Sequence, residues 1–169
     1  MELNRLSAEL EKTLTDNLNL YDEMEKALDE ECLALKAYSL TQLDVAIKRK
    51  MEVASKLRLI EETRNAMVAK IAGRLGTLPA QISLKELAEE VGGEVKARLL
   101  TLRSRMRQIV QTVTEKNDFN RGVISKLMNL NAAAAANLKE LLNPESTYEK
   151  GGFTPVSAFK AGQVVSRTY

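Results

Sequence analysis

The chain has 169 residues, 25 basic against 23 acidic, and neither histidine nor tryptophan. The missing histidine removes the commonest general base and the commonest metal ligand, and a net charge of +2 gives no overall signal for a polyanionic partner. Apolar residues make up 44% but aromatics only 4%, so any core is aliphatic, and the single Cys32 excludes an internal disulfide or a multi-cysteine metal site.

The N-terminus, Met1-Glu2-Leu3-Asn4, is polar and acidic, unlike a signal peptide. No apolar run approaches the ~18–20 residues that a membrane span needs, so the chain is expected in the cytosol, without membrane insertion. A first helix is expected over about 3–37. Leu3, Leu6, Leu10, Leu14, Leu18, Tyr21, Met24, Leu28, Cys32 and Leu35 recur at three- and four-residue steps, which is one apolar helix stripe.

A break is expected at Tyr38-Ser39. Ser39 and Gln42 have the spacing of a capping box, and Tyr38 and Leu43 that of a hydrophobic staple. Neither glycine nor proline enforces the turn, so one unbroken helix is the alternative. Charge favours a hairpin. Residues 1–31 carry ten acidic and three basic side chains, net −7, and residues 32–75 carry four and nine, net +5. A hairpin lays these faces together, and opposed whole faces select orientation even where single exposed pairs contribute little. The second helix is expected over about 40–74, with the stripe Leu43, Ile47, Met51, Ala54, Leu57, Ile60, Met67, Val68 and Ile71, ending near Gly73 or Gly76.

Gly76-Thr77-Leu78-Pro79 reads as a linker. Ser83 and Glu86 form a second capping box, with Ile82 and Leu87 as its staple, opening a short helix over about 84–91 before Gly92-Gly93. The longest helix is expected over about 94–142, stopping before Asn143-Pro144. It would outrun the first two, so part of its apolar surface is a candidate groove for a partner. The fold expected is all-α: an elongated antiparallel hairpin plus a long third helix, a coiled-coil-like bundle over 1–143. Residues 144–169 form a flexible tail. That tail holds four of the seven aromatics, Tyr148, Phe153, Phe159 and Tyr169, which suggests docking on something.

Two heptad rows run along the last helix. One is Leu99, Met106, Val113, Asn120, Leu127, Ala134, Leu141; the other is Arg103, Val110, Asn117, Ile124, Asn131, Leu138. Asparagines in an apolar seam fix register and partner number. Alternatively, these amides face a groove and bond a client. The run Ala132–Ala136 allows either a tightly packed helix end or a shallow client groove.

The stretch Glu115-Lys116-Asn117-Asp118-Phe119-Asn120-Arg121-Gly122-Val123-Ile124, then a leucine-rich helix end, then Ser146-Thr147-Tyr148-Glu149-Lys150-Gly151-Gly152, resembles the FlgN family of flagellar export chaperones. The front half is similar too, through Glu30-Glu31, Leu33-Ala34-Leu35, Ala46-Ile47-Lys48-Arg49-Lys50 and Leu57 to Arg64. The resemblance covers about residues 3–152. It implies a cytosolic chaperone of the flagellar type III export system. Such a chaperone binds the C-terminal regions of hook–filament junction proteins, prevents their premature assembly and delivers them to the export gate and its ATPase apparatus. Carried onto this chain, it implies client contacts on the Asn120–Leu142 surface and gate docking at Tyr148 and the following Gly151; with the heptad rows, the candidate client contacts are Asn117, Asn120, Ile124, Leu127, Asn131, Ala134, Leu138 and Leu141. Phe153, Phe159 and Tyr169 match no family feature.

An apolar stripe awaiting a client can be covered meanwhile by a second copy, so a homodimer is one expected client-free state. A generic coiled-coil adaptor, or a chaperone for a different flagellar or type III client, is the competing reading. An enzyme is not expected: no phosphate loop, nucleophile motif or metal-ligand cluster is present, and no cofactor is implied. Nor is a nucleic-acid binder, because no aromatics interleave with the basic patches at Lys48-Arg49-Lys50 and Arg98–Arg107.

Overall fold

The computed structural model describes residues 2–142, and these are almost wholly helical. Four α-helices follow in order: α1 Glu2–Lys36, α2 Leu40–Leu75, α3 Leu84–Val91 and α4 Gly93–Leu142, with one 3-10 turn at Pro79–Gln81. Contacts divide the chain into two units, 1–129 and 130–169. The first holds the helical bundle. The described part of the second is the end of α4, exposed at every residue from Leu130 to Leu142.

The hairpin turn forms at Tyr38-Ser39, as the charge pattern favours. The Ser39 N–H donates to the Ala34 carbonyl at 3.1 Å and the Tyr38 N–H to the Leu35 carbonyl at 3.2 Å. That is a Schellman closure of α1, with Tyr38 in the left-handed region at φ 51°. Ser39 then caps α2, its hydroxyl accepting from the Gln42 N–H at 3.4 Å. Tyr38 itself is 80% exposed, so the expected staple on Leu43 buries little. A glycine adopts positive φ at little cost, whereas tyrosine is strained there. Tyr38→Gly is therefore expected to stabilise the fold by about 0.5–1 kcal/mol in urea unfolding. A loss of stability would show that the tyrosine ring contributes more than its strain costs.

Pairs across the hairpin advance along α1 as they retreat along α2, so the two helices are antiparallel. Thr13 donates to the Met67 sulfur, Asn17 to Glu61, Lys50 to Glu31 and Arg49 to Glu30. Small side chains line the seam: Ala27, Ala34 and Ala46 are all buried. In α2 the buried residues are Ala46, Val53, Ile71 and Ala72. This departs from the expected stripe, because Met51 and Ala54 lie outside the seam. Alanine and valine allow the close approach that methionine would prevent.

α4 runs parallel to α1, since Arg98 reaches Glu11, Lys116 reaches Glu25 and Asp29, and Asn120 reaches Leu28 and Glu31. At the base, far from the turn, all four helices share one buried cluster: Leu10, Leu14, Ile71, Leu87, Ala88 and Leu99. Nearer the turn, Met24, Leu28 and Val53 form a second, with Leu57 and Val113 against it. α3 opens on a complete capping box. The Glu86 N–H donates to the Ser83 hydroxyl at 3.2 Å and the Ser83 N–H to the Glu86 carboxylate at 2.7 Å. Gly92 and Gly93, at φ 66° and 58°, then swing the chain from α3 into α4.

Candidate functional site

The structure places the candidate residues of α4 in three settings. Asn120 is 1% exposed. Its Nδ2 donates to the Leu28 carbonyl at 2.8 Å and to the Glu31 carboxylate at 2.9 Å. Glu31, equally buried, accepts from Lys50 Nζ at 2.5 Å through its other oxygen. One carboxylate thus ties α1, α2 and α4 together, and the Asn120 amide fixes their register. Offering that amide to a client would mean breaking this network, so Asn120 sits here as a seam residue.

Asn117, Ile124 and Leu127 are half-buried, on parts of α4 still in the first unit. Asn131, Ala134, Leu138 and Leu141 lie in the second unit, where all are exposed. Leu138 is 56% and Leu141 80% exposed, beside Leu130 and Leu142 in the same condition. An apolar helix surface of this kind can stabilise by burial only against another molecule or segment. Tyr148 and Gly151, together with the rest of the tail, lie outside the described residues.

Two buried polar residues, Glu31 and Asn17, were missed by sequence reasoning. Both sit beside an apolar stripe and look like ordinary surface positions. The signal was faint: a cation, Lys50, on the opposing helix and an asparagine in the α4 heptad row. For Asn17 the partner is Glu61, which accepts from its Nδ2 at 2.7 Å.

The α1 side of α4 is an ion-paired seam. Lys116 Nζ donates to both Asp29 oxygens, at 2.7 and 2.8 Å, and to Glu25 at 2.8 Å. Arg98 meets Glu11 at 2.7 Å. The bonds to Asp29 first, and to Glu25 next, hold the Lys116 ammonium above its ordinary value of 10.5. The folded state therefore holds this proton more tightly than the unfolded one. The resulting stability is complete below 10.5 and is lost as pH rises through the folded value. Burial foremost, then the Glu61 charge, raises the Tyr21 phenol above 10.0. Its unfolded form ionises first, so it too loses stability on the alkaline side. The urea midpoint should accordingly fall above pH about 10, and Lys116→Met should remove part of that fall while Tyr21 keeps the rest. An unchanged alkaline slope in the variant would mean that Lys116 does not couple the two helices.

The whole length of the bundle, and part of the sequence beyond it, matches one family. The family model described as FlgN protein matches residues 1–155. The chain belongs to the FlgN family. No curated protein and no solved structure matches it. FlgN proteins form a chaperone family, not an enzyme family, and they bind flagellar export substrates. Membership thus makes this chain a flagellar export chaperone. No helix among the described residues is long and apolar enough to cross a membrane. For an FlgN protein the relevant chemistry is non-covalent: a helix surface that an export substrate can cover.

Proposed function

We propose that this FlgN-family chain binds the C-terminal helical segments of hook–filament junction proteins, keeps them from assembling early and delivers them to the flagellar export gate. One observation carries the reading: α4 ends in a helix whose leucines, Leu130, Leu138, Leu141 and Leu142, are exposed with nothing in the described chain to cover them. An amphipathic client helix can bury such a row by completing a coiled coil. In the second unit the client contacts are Asn131, Ala134, Leu138 and Leu141. In the first, Asn117, Ile124 and Leu127 contribute, with Asn120 holding α4 in register behind them. Tyr148 and Gly151 serve the gate and its ATPase apparatus. Without a client, a second copy covers the same leucines.

Calorimetry with a junction-protein C-terminal peptide tests this. Leu138→Asp should reduce the affinity by about a hundredfold or more, because it puts a charge into an apolar contact, while helicity stays unchanged. Deleting residues 144–169 should leave peptide affinity intact but lower secretion of the junction protein in cells. Undiminished affinity in Leu138→Asp defeats the client site. Loss of affinity on tail deletion moves the tail from the gate to the client.

A further inference from the structure

α3 shows what the side of the bundle between α2 and α4 accepts. Leu87 and Ala88 are buried with Ile71 of α2 and Leu99 of α4. Leu84 and Leu87 also wall a cavity of about 240 Å³ floored by Leu10 and Leu14 of α1 and flanked by Arg64, Asn65 and Val68 of α2. The apolar residues of α3 fall at three- and four-residue steps, and its polar face carries Glu86, Glu89 and Glu90 against Lys85. The base half of this side thus already holds a short acidic amphipathic helix.

Toward the turn the same side is open among the described residues. Leu57 and Val113 pack against the cluster of Met24, Leu28 and Val53, and Glu31 joins Lys50 to Asn120, which sets Ile47 and Met51 level with the Asn117–Ile124 stretch. Met51 is 64% exposed and Val110 36%. Ile47, Asn117 and Ile124 are half-buried, and Ala54 is exposed. By helix register these residues face one another across the groove, and among the described residues no helix covers them.

The charges along this strip are one-sided. On the α1 side of α4, Arg98 and Lys116 pair with the acids of α1, and Arg105, without an ion pair of its own among the described residues, borders the same pocket as Asp22 and Glu25. On the α2 side, Arg103, Arg107 and Arg121 make no ion pair among the described residues, because α2 is itself basic. Lys48 and Arg58 of α2 are already paired with Asp44 and Glu62. Against the three free arginines stands Asp118. Two basic helices side by side leave a positive rim around an apolar strip.

We propose that the open half of the α2–α4 groove, lined by Ile47, Met51, Ala54, Val110, Asn117 and Ile124, seats an amphipathic helix of the export client whose polar face is acidic, end to end with α3. The proposal rests on the client-binding reading above and adds to it a second wall, supplied by α2, and a charge requirement. The client helix takes the place along the groove that α3 takes at its base, with glutamates toward Arg103, Arg107 and Arg121.

The test uses the full chain and two labelled model peptides of about 18 residues, long enough for several helical turns. Both carry leucine at i, i+3, i+4 and i+7; one has a glutamate polar face, the other lysine. Fluorescence anisotropy at low salt should show the glutamate peptide binding at least about tenfold tighter. Met51→Glu, at an exposed position and hence harmless to folding, should weaken it by about tenfold with the thermal midpoint unchanged. Arg107→Glu with Arg121→Glu should invert the peptide preference. Equal binding of the two peptides, or a silent Met51→Glu, overturns the proposal. So does a wild-type dimer in sedimentation that Met51→Glu dissolves, since a second copy would then be the occupant. The junction-protein peptide separates the two readings. Binding that survives Met51→Glu but is lost in Leu138→Asp overturns the groove and leaves the client reading standing. Failure of that peptide to bind the wild type at all sinks the client reading, while the model peptides still decide the groove.

Discussion

Lys50→Met is expected to lower the free energy of unfolding by about 3 kcal/mol in urea titrations, because it strands a buried carboxylate. Glu31 is 1% exposed and lies between three helices. Its two oxygens are held by Lys50 at 2.5 Å and by the Asn120 amide at 2.9 Å. Without the ammonium, one neutral donor remains for a negative charge out of water. The Lys50 side chain is itself 23% exposed, so water can replace part of what is lost, and the low end of the range for broken buried pairs, about 3–5 kcal/mol, applies. Arg49–Glu30, the next pair along the same seam, is half exposed on both sides, and Arg49→Met should cost under about 1 kcal/mol. Combining Lys50→Met with Glu31→Leu should recover most of the loss, since an apolar pair carries no desolvation cost. Equal effects of Lys50→Met and Arg49→Met would show that Glu31 is solvated in solution and the three-helix tie is weak.

Leu99→Ala should cost about 3 kcal/mol and lower the melting temperature by roughly 6–12 °C. Leu99 is fully buried where α1, α2, α3 and α4 meet, against Leu10, Leu14, Ile71 and Leu87. Truncation leaves a cavity that four helices of different direction cannot close together. The same change at Leu138, which is 56% exposed, should alter stability by under about 0.5 kcal/mol. The contrast separates buried base leucines that hold the scaffold from end leucines that are exposed. A Leu138→Ala chain as unstable as Leu99→Ala would mean that the end of α4 is packed within the folded chain, and would remove the surface on which client binding is proposed.

The two seams differ in how visible they were beforehand. The α1–α2 hairpin was legible because an acidic helix precedes a basic one, and the observed ties Glu30–Arg49 and Glu31–Lys50 join those two faces. The start of α3 was legible because Ser83 and Glu86 satisfy each other within four residues. The inward face of α2 was not. Of the expected stripe, Ile71 is buried and Leu57 and Met67 pack against the core, but Met51 and Ala54 lie outside it. Close contact along the hairpin selected Ala46 and Val53 instead and left Met51 exposed.

What the sequence by itself determined is where helices begin, end and repeat, because caps, glycines and apolar periods act within a few residues. It also carried the family, through the order of motifs along the chain. Only the tertiary structure decided the fate of the asparagines. Asn120 and Asn131 look alike in their heptad rows, yet one is buried and the other exposed. The difference is a carboxylate 89 positions away in α1, brought beneath Asn120 by packing. A buried amide needs a partner, and no local pattern can say which residue will supply it.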